Sequence, residues 1–180
     1  ELVQLLNADD EMPPNKITES VRALSEKPHA GFAFGDLSLV GQNGQDVLVI
    51  EGDPQYRRVV ARHMPRINHP TVLARASVYL EHGGFESQWR IGMDYEWLLR
   101  VTKAGVVGVY SPDVHVFMRV GGVSEANPVQ CMNEERLISI AHGRAVILAN
   151  SHFLLRTLKL WLRLALERVL PARAIAAFRP

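Results

Sequence analysis

The sequence lacks the cysteines that disulfide-stabilised domains and cysteine-ligated metal sites require. Cys131 is the single cysteine, which excludes an internal disulfide framework and a cysteine-rich zinc site and fits a reducing compartment. The seven histidines form no HExxH or HxxxH pair. No uninterrupted apolar run reaches the roughly 20 residues that a membrane-spanning helix needs. We therefore expect a cytoplasmic protein without a transmembrane helix.

The sequence also lacks an excess of charge of either sign. Lys and Arg number 20 against 19 Asp and Glu, a formal net charge of +1, which argues against a surface built to bind nucleic acid. The 180 residues, 47% of them hydrophobic, are enough for a folded core. Strand-like and helix-like patterns alternate along the chain and predict an α/β fold with an extra helical tail.

Local patterns predict most of the elements. Residues 31–50 indicate two strands around a tight turn at Asn43-Gly44, because this dipeptide supplies positive φ angles. The segment MDYEWLLRVTKAG predicts a helix that turns Trp97, Leu98 and Val101 inward and stops at Gly105. Further predictions are a surface helix with its apolar stripe at Ile17, Val21 and Leu24, two short strands split by Ser111-Pro112-Asp113, and one long helix over 131–150.

Asp9 and Asp10 follow the apolar run that opens the chain. A carboxylate pair at the end of a strand can hold a divalent cation, which in turn neutralises a diphosphate. The alternative is that one Asp caps the next helix while the other is solvated. The residues by themselves leave both interpretations open.

Asp94 stands where the helix MDYEWLLR begins. It can be a helix cap, or a general base that stays ionised beside the helix N-terminus and accepts a proton from a hydroxyl group. Glu96 points elsewhere on this helix and is expected to be solvated.

Three other polar sites admit a functional and a plain interpretation. Arg119 precedes a glycine-containing loop that can close over phosphate or be an ordinary turn. His69 can belong to a site or be a hydrogen-bonded structural residue, and Asp36 can be a turn residue.

Six segments follow one another along the chain: LLNADDE, FAFGDLSL, NHPTVLAR, HGGFE, GMDYEWLLR and MRVGGVS. In this order they resemble the catalytic half of family 2 glycosyltransferases of the GT-A fold, and most of all the bacterial enzymes of capsule, O-antigen or colanic-acid-type polysaccharide synthesis. The resemblance covers residues 1 to about 124.

The resemblance implies a role for each matched residue. Asp9, helped by Asp10, would hold Mn²⁺ or Mg²⁺ at the family's DxD position, where Asn7 replaces the first Asp. Asp94 would be the base that deprotonates the acceptor hydroxyl for inverting attack. The remaining assignments are the donor diphosphate loop, Arg119, Gly121, Gly122 and Ser124, and the acceptor pocket, His69, Gly83, Gly84, Phe85 and Asp36.

The resemblance also implies a GT-A-like, Rossmann-like mixed sheet that lacks its N-terminal part. In the family a βαβ portion before the DxD strand binds the nucleotide, and this chain starts six residues before Asn7. We expect a fragment, or a sheet that another chain completes, with little activity on its own. The catalytic part would cover residues 1–128 and the C-terminal helices residues 129–180.

The last predicted helix is basic, amphipathic and contains Trp161. It can lie peripherally on a membrane through residues 151–170, at the inner face of the plasma membrane, or pack on the catalytic part. The predicted function is transfer of a sugar from a UDP-, GDP- or dTDP-sugar to a glycan or lipid-linked acceptor. A nucleotidyltransferase and a non-catalytic membrane-associated or interaction module are the alternatives.

Overall fold

The computed structural model describes residues 1–8, 10–41 and 45–169. Within them a five-stranded mixed sheet is flanked by helices. The strands are β1 (Leu2–Gln4), β2 (Ala30–Val40), β3 (Asp46–Ile50), β4 (Leu73–Arg75) and β5 (Val107–Arg119). The helices are α1 (Lys16–Glu26), α2 (Ala76–His82), α3 (Met93–Lys103), α4 (Val123–Ala126), α5 (Pro128–Ala141) and α6 (Val146–Val169), with 3₁₀ turns at Tyr56–Arg58 and His69–Thr71.

Strand β2 is the centre of the sheet. It runs parallel to β5 along one edge, and on its other edge it pairs antiparallel with β4 near its start and with β3 near its end. Strand β1 extends the sheet by pairing antiparallel with β4. Most residues of β2 are buried, as expected for a strand that has neighbours on both edges and helices over its faces.

An aromatic cluster fills the space between the sheet and α3. Phe32 packs its ring against those of Phe34, Tyr56 and Trp97, and Phe34 also packs against Tyr56, with 5.6 to 6.1 Å between ring centroids. Each of these side chains is at most 1% exposed, and the Tyr56 hydroxyl accepts a hydrogen bond from the backbone N–H of Gly108 at 2.8 Å. Tilted and edge-on ring pairs of this kind add to the stability gained from burial.

The structure confirms the predicted α/β fold and its mixed sheet. Strands β2 and β3 pair as the hairpin prediction requires, while the turn residues 42–44 lie outside the described residues. Helix α3 buries Trp97, Leu98 and Val101 and ends at Lys103, just before Gly105, whose φ of +95° favours glycine.

Three local predictions differ from the structure. The strands expected on either side of Ser111-Pro112-Asp113 form one strand, β5, whose pairing with β2 shifts register at this point. The helix expected over 131–150 is two, because Gly143 adopts a φ of +90° between α5 and α6. Helix α1 buries Lys16, Ser20, Ala23 and Leu24. Of the predicted stripe only Leu24 is therefore buried, while Ile17 and Val21 are 40% and 38% exposed.

The C-terminal helices pack on the rest of the chain through α5. Ile138 of α5 is fully buried in the main core, with Leu98 and Leu99 of α3. Within the described ranges, the structure contains no helix with the length and hydropathy that crossing a membrane requires.

Candidate functional site

Asp94 lies in the first turn of α3, which begins after Gly92. Its Oδ1 accepts the backbone N–H of Tyr95 at 2.7 Å. Burial raises the pKa of the Asp94 carboxyl, while His69 and the helix-start hydrogen bonds act in the opposite direction without cancelling it. The helix start favours ionisation of Asp94, as expected from the sequence, but desolvation by the surrounding structure has the larger effect.

His69 is the titratable neighbour of Asp94. Its ring makes an edge-on contact with Phe85, with 5.3 Å between centroids. Burial lowers the pKa of His69, Asp94 raises it in part, and nearby Lys16 lowers it further. The structure therefore brings together three residues predicted from separate segments: Asp94, His69 and Phe85.

Arg100 ties the loop before Phe85 to the helix that carries Asp94. Its guanidinium donates to the carbonyl oxygens of His82 and Gly84, the latter at 2.6 Å. Gly83 turns the chain with a φ of +81°. The predicted acceptor loop Gly83 to Phe85 is thus held in place from α3.

Glu96 is the group that holds Arg100, and the expectation that it is solvated is wrong. Its carboxylate is 1% exposed and accepts Arg100 Nε at 2.9 Å and Nη2 at 2.8 Å, with His142 Nε2 3.0 Å away. Burial alone would raise the pKa of Glu96, but these partners outweigh it and the pKa is lowered. The spacing Glu96 to Arg100 is a helical i,i+4 pair, a signal that the sequence offered.

Lys16 was not among the predicted site residues. It is fully buried at the start of α1, and its Nζ donates to Gln4 Oε1. Gln4 in turn donates through Nε2 to the carbonyl oxygen of Pro70 at 2.9 Å, next to His69. Burial lowers the pKa of Lys16 to about 8. No sequence pattern marks a lysine for burial, so only the tertiary contacts identify it.

Glu134 fixes the entry to α3 from α5. One carboxylate oxygen accepts the backbone N–H groups of Arg90, Ile91 and Gly92 at 3.1, 2.9 and 2.9 Å. Burial would raise the pKa of Glu134, but the three N–H donors outweigh it and the pKa is lowered. Glu134 thereby positions the residues that lead into Asp94.

The acidic segment after β1 contacts the end of β5. Glu11 and Phe117 exchange two backbone hydrogen bonds of 2.9 Å, and Arg119 Nη2 lies 2.7 Å from Glu11 Oε1. The structure therefore places the predicted metal segment beside the predicted diphosphate loop. In that loop Gly121 has a φ of +106°, and Ser124 lies in α4.

The same segment is anchored beside the Asp94 cluster at both ends. It leaves the sheet after Gln4 and enters α1 at Lys16, and these two residues form the hydrogen bond next to Pro70 and His69. The connection between β1 and α1 thus joins the two predicted halves of the site. Asp9, the predicted principal metal ligand, lies outside the described residues.

Asp36 occupies a different position from the other predicted acceptor residues. It lies within β2, and its Oδ1 accepts the backbone N–H of Gly52 at 2.8 Å and the hydroxyl of Tyr110 at 3.0 Å. Tyr110 belongs to β5. These contacts hold the strand and the segment after β3 together, so Asp36 is part of the frame of the sheet.

The donor atoms of the β1–α1 segment are of the kind that hard divalent cations bind. Asp10 is 7% exposed, and its Oδ2 accepts Asn7 Nδ2 at 2.9 Å. Carboxylate and amide oxygens suit Mn²⁺ or Mg²⁺ rather than a soft metal. Over 1–8, 10–41 and 45–169, no group of three or more His, Cys, Asp or Glu side chains is arranged to hold a metal ion.

Comparison with known proteins identifies the fold. No protein-family model and no curated protein sequence matches the chain. Among solved structures, the chain is similar to the mannosyltransferase PcManGT from Pyrobaculum calidifontis in complex with GDP-Man and Mn²⁺, with a TM-score of 0.51 and 16% identity over 99% of this chain. The chain covers 53% of that protein's chain. The mixed sheet and its helices are thus a glycosyltransferase-like Rossmann fold.

Proposed function

We propose that the protein is an inverting, metal-dependent glycosyltransferase that moves a sugar from a nucleotide-sugar to a glycan or lipid-linked acceptor. The observation that carries this proposal is the cluster of Asp94, His69 and Phe85 on a fold shared with a glycosyltransferase. The solved neighbour binds GDP-Man and Mn²⁺, which supports a nucleotide-sugar donor and a divalent metal. The resemblance to family 2 enzymes supports the inverting course.

In the proposed reaction Asp94 is the general base. Its carboxylate accepts the proton of the acceptor hydroxyl while the hydroxyl oxygen bonds to the anomeric carbon, and the bond from that carbon to the donor diphosphate breaks on the opposite face. A base works best when its pKa approaches the working pH. The burial that raises the pKa of Asp94 moves it in this direction.

His69 and Phe85 complete the acceptor side of the site. Burial lowers the pKa of His69, so the neutral imidazole is favoured and can exchange a hydrogen bond with a sugar hydroxyl. The edge-on contact of Phe85 with His69 fixes the ring and supplies an apolar wall. Gly83, with its positive φ, allows the chain to turn there, and Arg100 donates to the carbonyl oxygens of Gly83 and Gly84.

The donor side consists of the β1–α1 segment and the loop after β5. Asp9 and Asp10 would hold the divalent ion, which when bound neutralises the charge of the leaving diphosphate. Arg119 to Ser124 would contact the diphosphate itself, Arg119 through guanidinium donors and the glycines through backbone N–H groups. The Glu11–Phe117 pairing supports a common donor surface for the two segments.

Donor binding and product stereochemistry test this function. The natural protein would be titrated by calorimetry with GDP, UDP and dTDP, with and without Mn²⁺, beside Asp9→Ala. We expect metal-dependent binding of one nucleotide, lost in Asp9→Ala, and NMR of the product with the matching nucleotide-sugar should show an inverted anomeric centre. Metal-independent binding that Asp9→Ala leaves unchanged would refute the metal role, and a retained configuration would refute the mechanism.

A further inference from the structure

Helix α6 turns a row of large apolar side chains toward solvent. Their exposed fractions are 75% for Ile147, 64% for Leu154, 65% for Leu158, 58% for Trp161 and 58% for Leu162. At 3.6 residues per turn these positions fall on one side of the helix. We call these five residues the outer face of α6.

Other side chains of α6 attach the helix to α5. Arg156 forms an ion pair with Glu135, and Arg136 of α5 donates to Asn150 Oδ1 at 2.8 Å and lies over the Phe153 ring. These contacts use the polar and aromatic side chains of α6. The outer face therefore stays uncovered although the helix is firmly docked.

The length of the outer face indicates a binding surface. From residue 147 to 162 it runs about 24 Å at 1.5 Å per residue. A row of exposed large apolar side chains of this length is typical of an interaction site with a protein or a membrane.

The net charge of residues 151–180 favours a lipid bilayer over a second copy of the chain as the binding partner of the outer face. Residues 151–180 contain six basic residues and one acidic residue, a net charge of +5, while the whole chain carries +1. The rest of the chain is thus net negative. Two copies meeting through α6 would bring two strongly positive segments together, whereas an anionic bilayer is complementary to both the charge and the apolar side chains. Trp161 has the amphipathic ring typical of the headgroup level.

We propose that the outer face of α6 lies in the interface of an anionic lipid bilayer, with its apolar side chains among the acyl chains and with Lys159 and Arg163 at the headgroups. The attachment also orients the candidate site. Glu135 holds Arg156 of α6, and the adjacent Glu134 holds the entry to α3. A membrane-bound α6 therefore fixes how Asp94 faces the lipid surface, and this inference does not depend on the reaction that Asp94 performs.

Vesicle flotation tests the proposal. The protein would be mixed with vesicles of phosphatidylcholine alone or with 30% phosphatidylglycerol, beside Leu154→Glu/Leu158→Glu on the outer face and Leu80→Glu as the matched control. Leu80 is 85% exposed on α2, so its substitution has the same chemistry away from α6. A third variant, Lys159→Gln/Arg163→Gln, removes charge while keeping the apolar side chains. Circular dichroism and thermal melting would establish that each variant is folded.

We expect the protein and Leu80→Glu to float with anionic vesicles and to float at least tenfold less with neutral ones. The double Leu→Glu variant should lose anionic flotation, and the charge variant should weaken it on the order of tenfold or more. Equal flotation of the double Leu→Glu variant and the parent would overturn the proposal. So would a dimer in lipid-free solution that the same double variant dissociates, since the face would then bind a second copy.

Discussion

Replacing Glu134 by Ala should destabilise the protein and disturb the site together. The substitution removes the acceptor of three backbone N–H groups, of which that of Gly92 belongs to a buried residue. A buried N–H without an acceptor costs about 1–3 kcal/mol, and each of the two more accessible bonds contributes about 0.5–1.5 kcal/mol. We therefore expect a loss of about 3 kcal/mol in the free energy of unfolding.

Urea denaturation followed by tryptophan fluorescence measures this loss. Glu134→Gln, which keeps one acceptor oxygen but no charge, should lose about 1 kcal/mol, since charge-assisted bonds are the stronger kind. Glu86→Ala removes an exposed carboxylate and should stay within about 0.5 kcal/mol of the parent. Sugar transfer should fall in Glu134→Ala because the residues leading into Asp94 lose their support. A Glu134→Ala protein as stable and as active as the parent would refute this reasoning.

Three further predictions follow from single positions. Gly35→Ala should lower the free energy of unfolding, measured by urea denaturation, by about 2 kcal/mol or more. The added Cβ would lie 1.9 Å from the carbonyl oxygen of Val114, and overpacking against backbone is not easily relieved. An unchanged urea midpoint would contradict this prediction. Burial and nearby arginines lower the pKa of His152 to about 4, so as the pH falls below about 6.5 the unfolded state binds this proton before the folded state does. The free energy of unfolding should therefore drop by about 1–2 kcal/mol between pH 6.5 and 5. A His152→Asn variant with the same pH dependence as the parent would contradict this. Lys16→Met should raise the free energy of unfolding at pH 7 by about 1 kcal/mol, because it removes a buried ammonium group and loses only one hydrogen bond, to Gln4. The same variant should transfer sugar more slowly. A destabilised variant would show that the hydrogen bond compensates the burial of the ammonium group.

The parts of the fold that local patterns determine could be predicted from the sequence. The hairpin strands, α3 with its buried Trp97 and the stop at Gly105 each follow from residues within a few positions of one another. The division of the segment 131–150 between helices α5 and α6 does not follow from the sequence pattern, because the helical pattern is continuous except for Gly143. The sequence predicts two strands on either side of Ser111-Pro112-Asp113, whereas in the structure β5 continues through these residues and its pairing with β2 shifts register there.

In the candidate site, the sequence could name the residues whose type indicates a chemistry. Asp94, His69 and Phe85 were named from separate segments, and the fold brings them together. Lys16 and Glu134 could not be named, because their roles come from contacts with β1 and with the entry to α3. Burial of a charged side chain depends on partners distant in sequence, and no local periodicity reports it.

Sugar transfer by Asp94→Asn, measured with the nucleotide-sugar that the natural protein binds, tests directly whether Asp94 is the base. The amide keeps the size and hydrogen-bonding ability of the side chain but cannot accept the proton. Nucleoside diphosphate affinity should stay within about twofold, while the transfer rate should fall by about 10²–10⁴-fold, and Asp113→Asn, an exposed acid on β5, should leave both unchanged. An Asp94→Asn enzyme that transfers sugar at the parent rate would show that Asp94 is not the base.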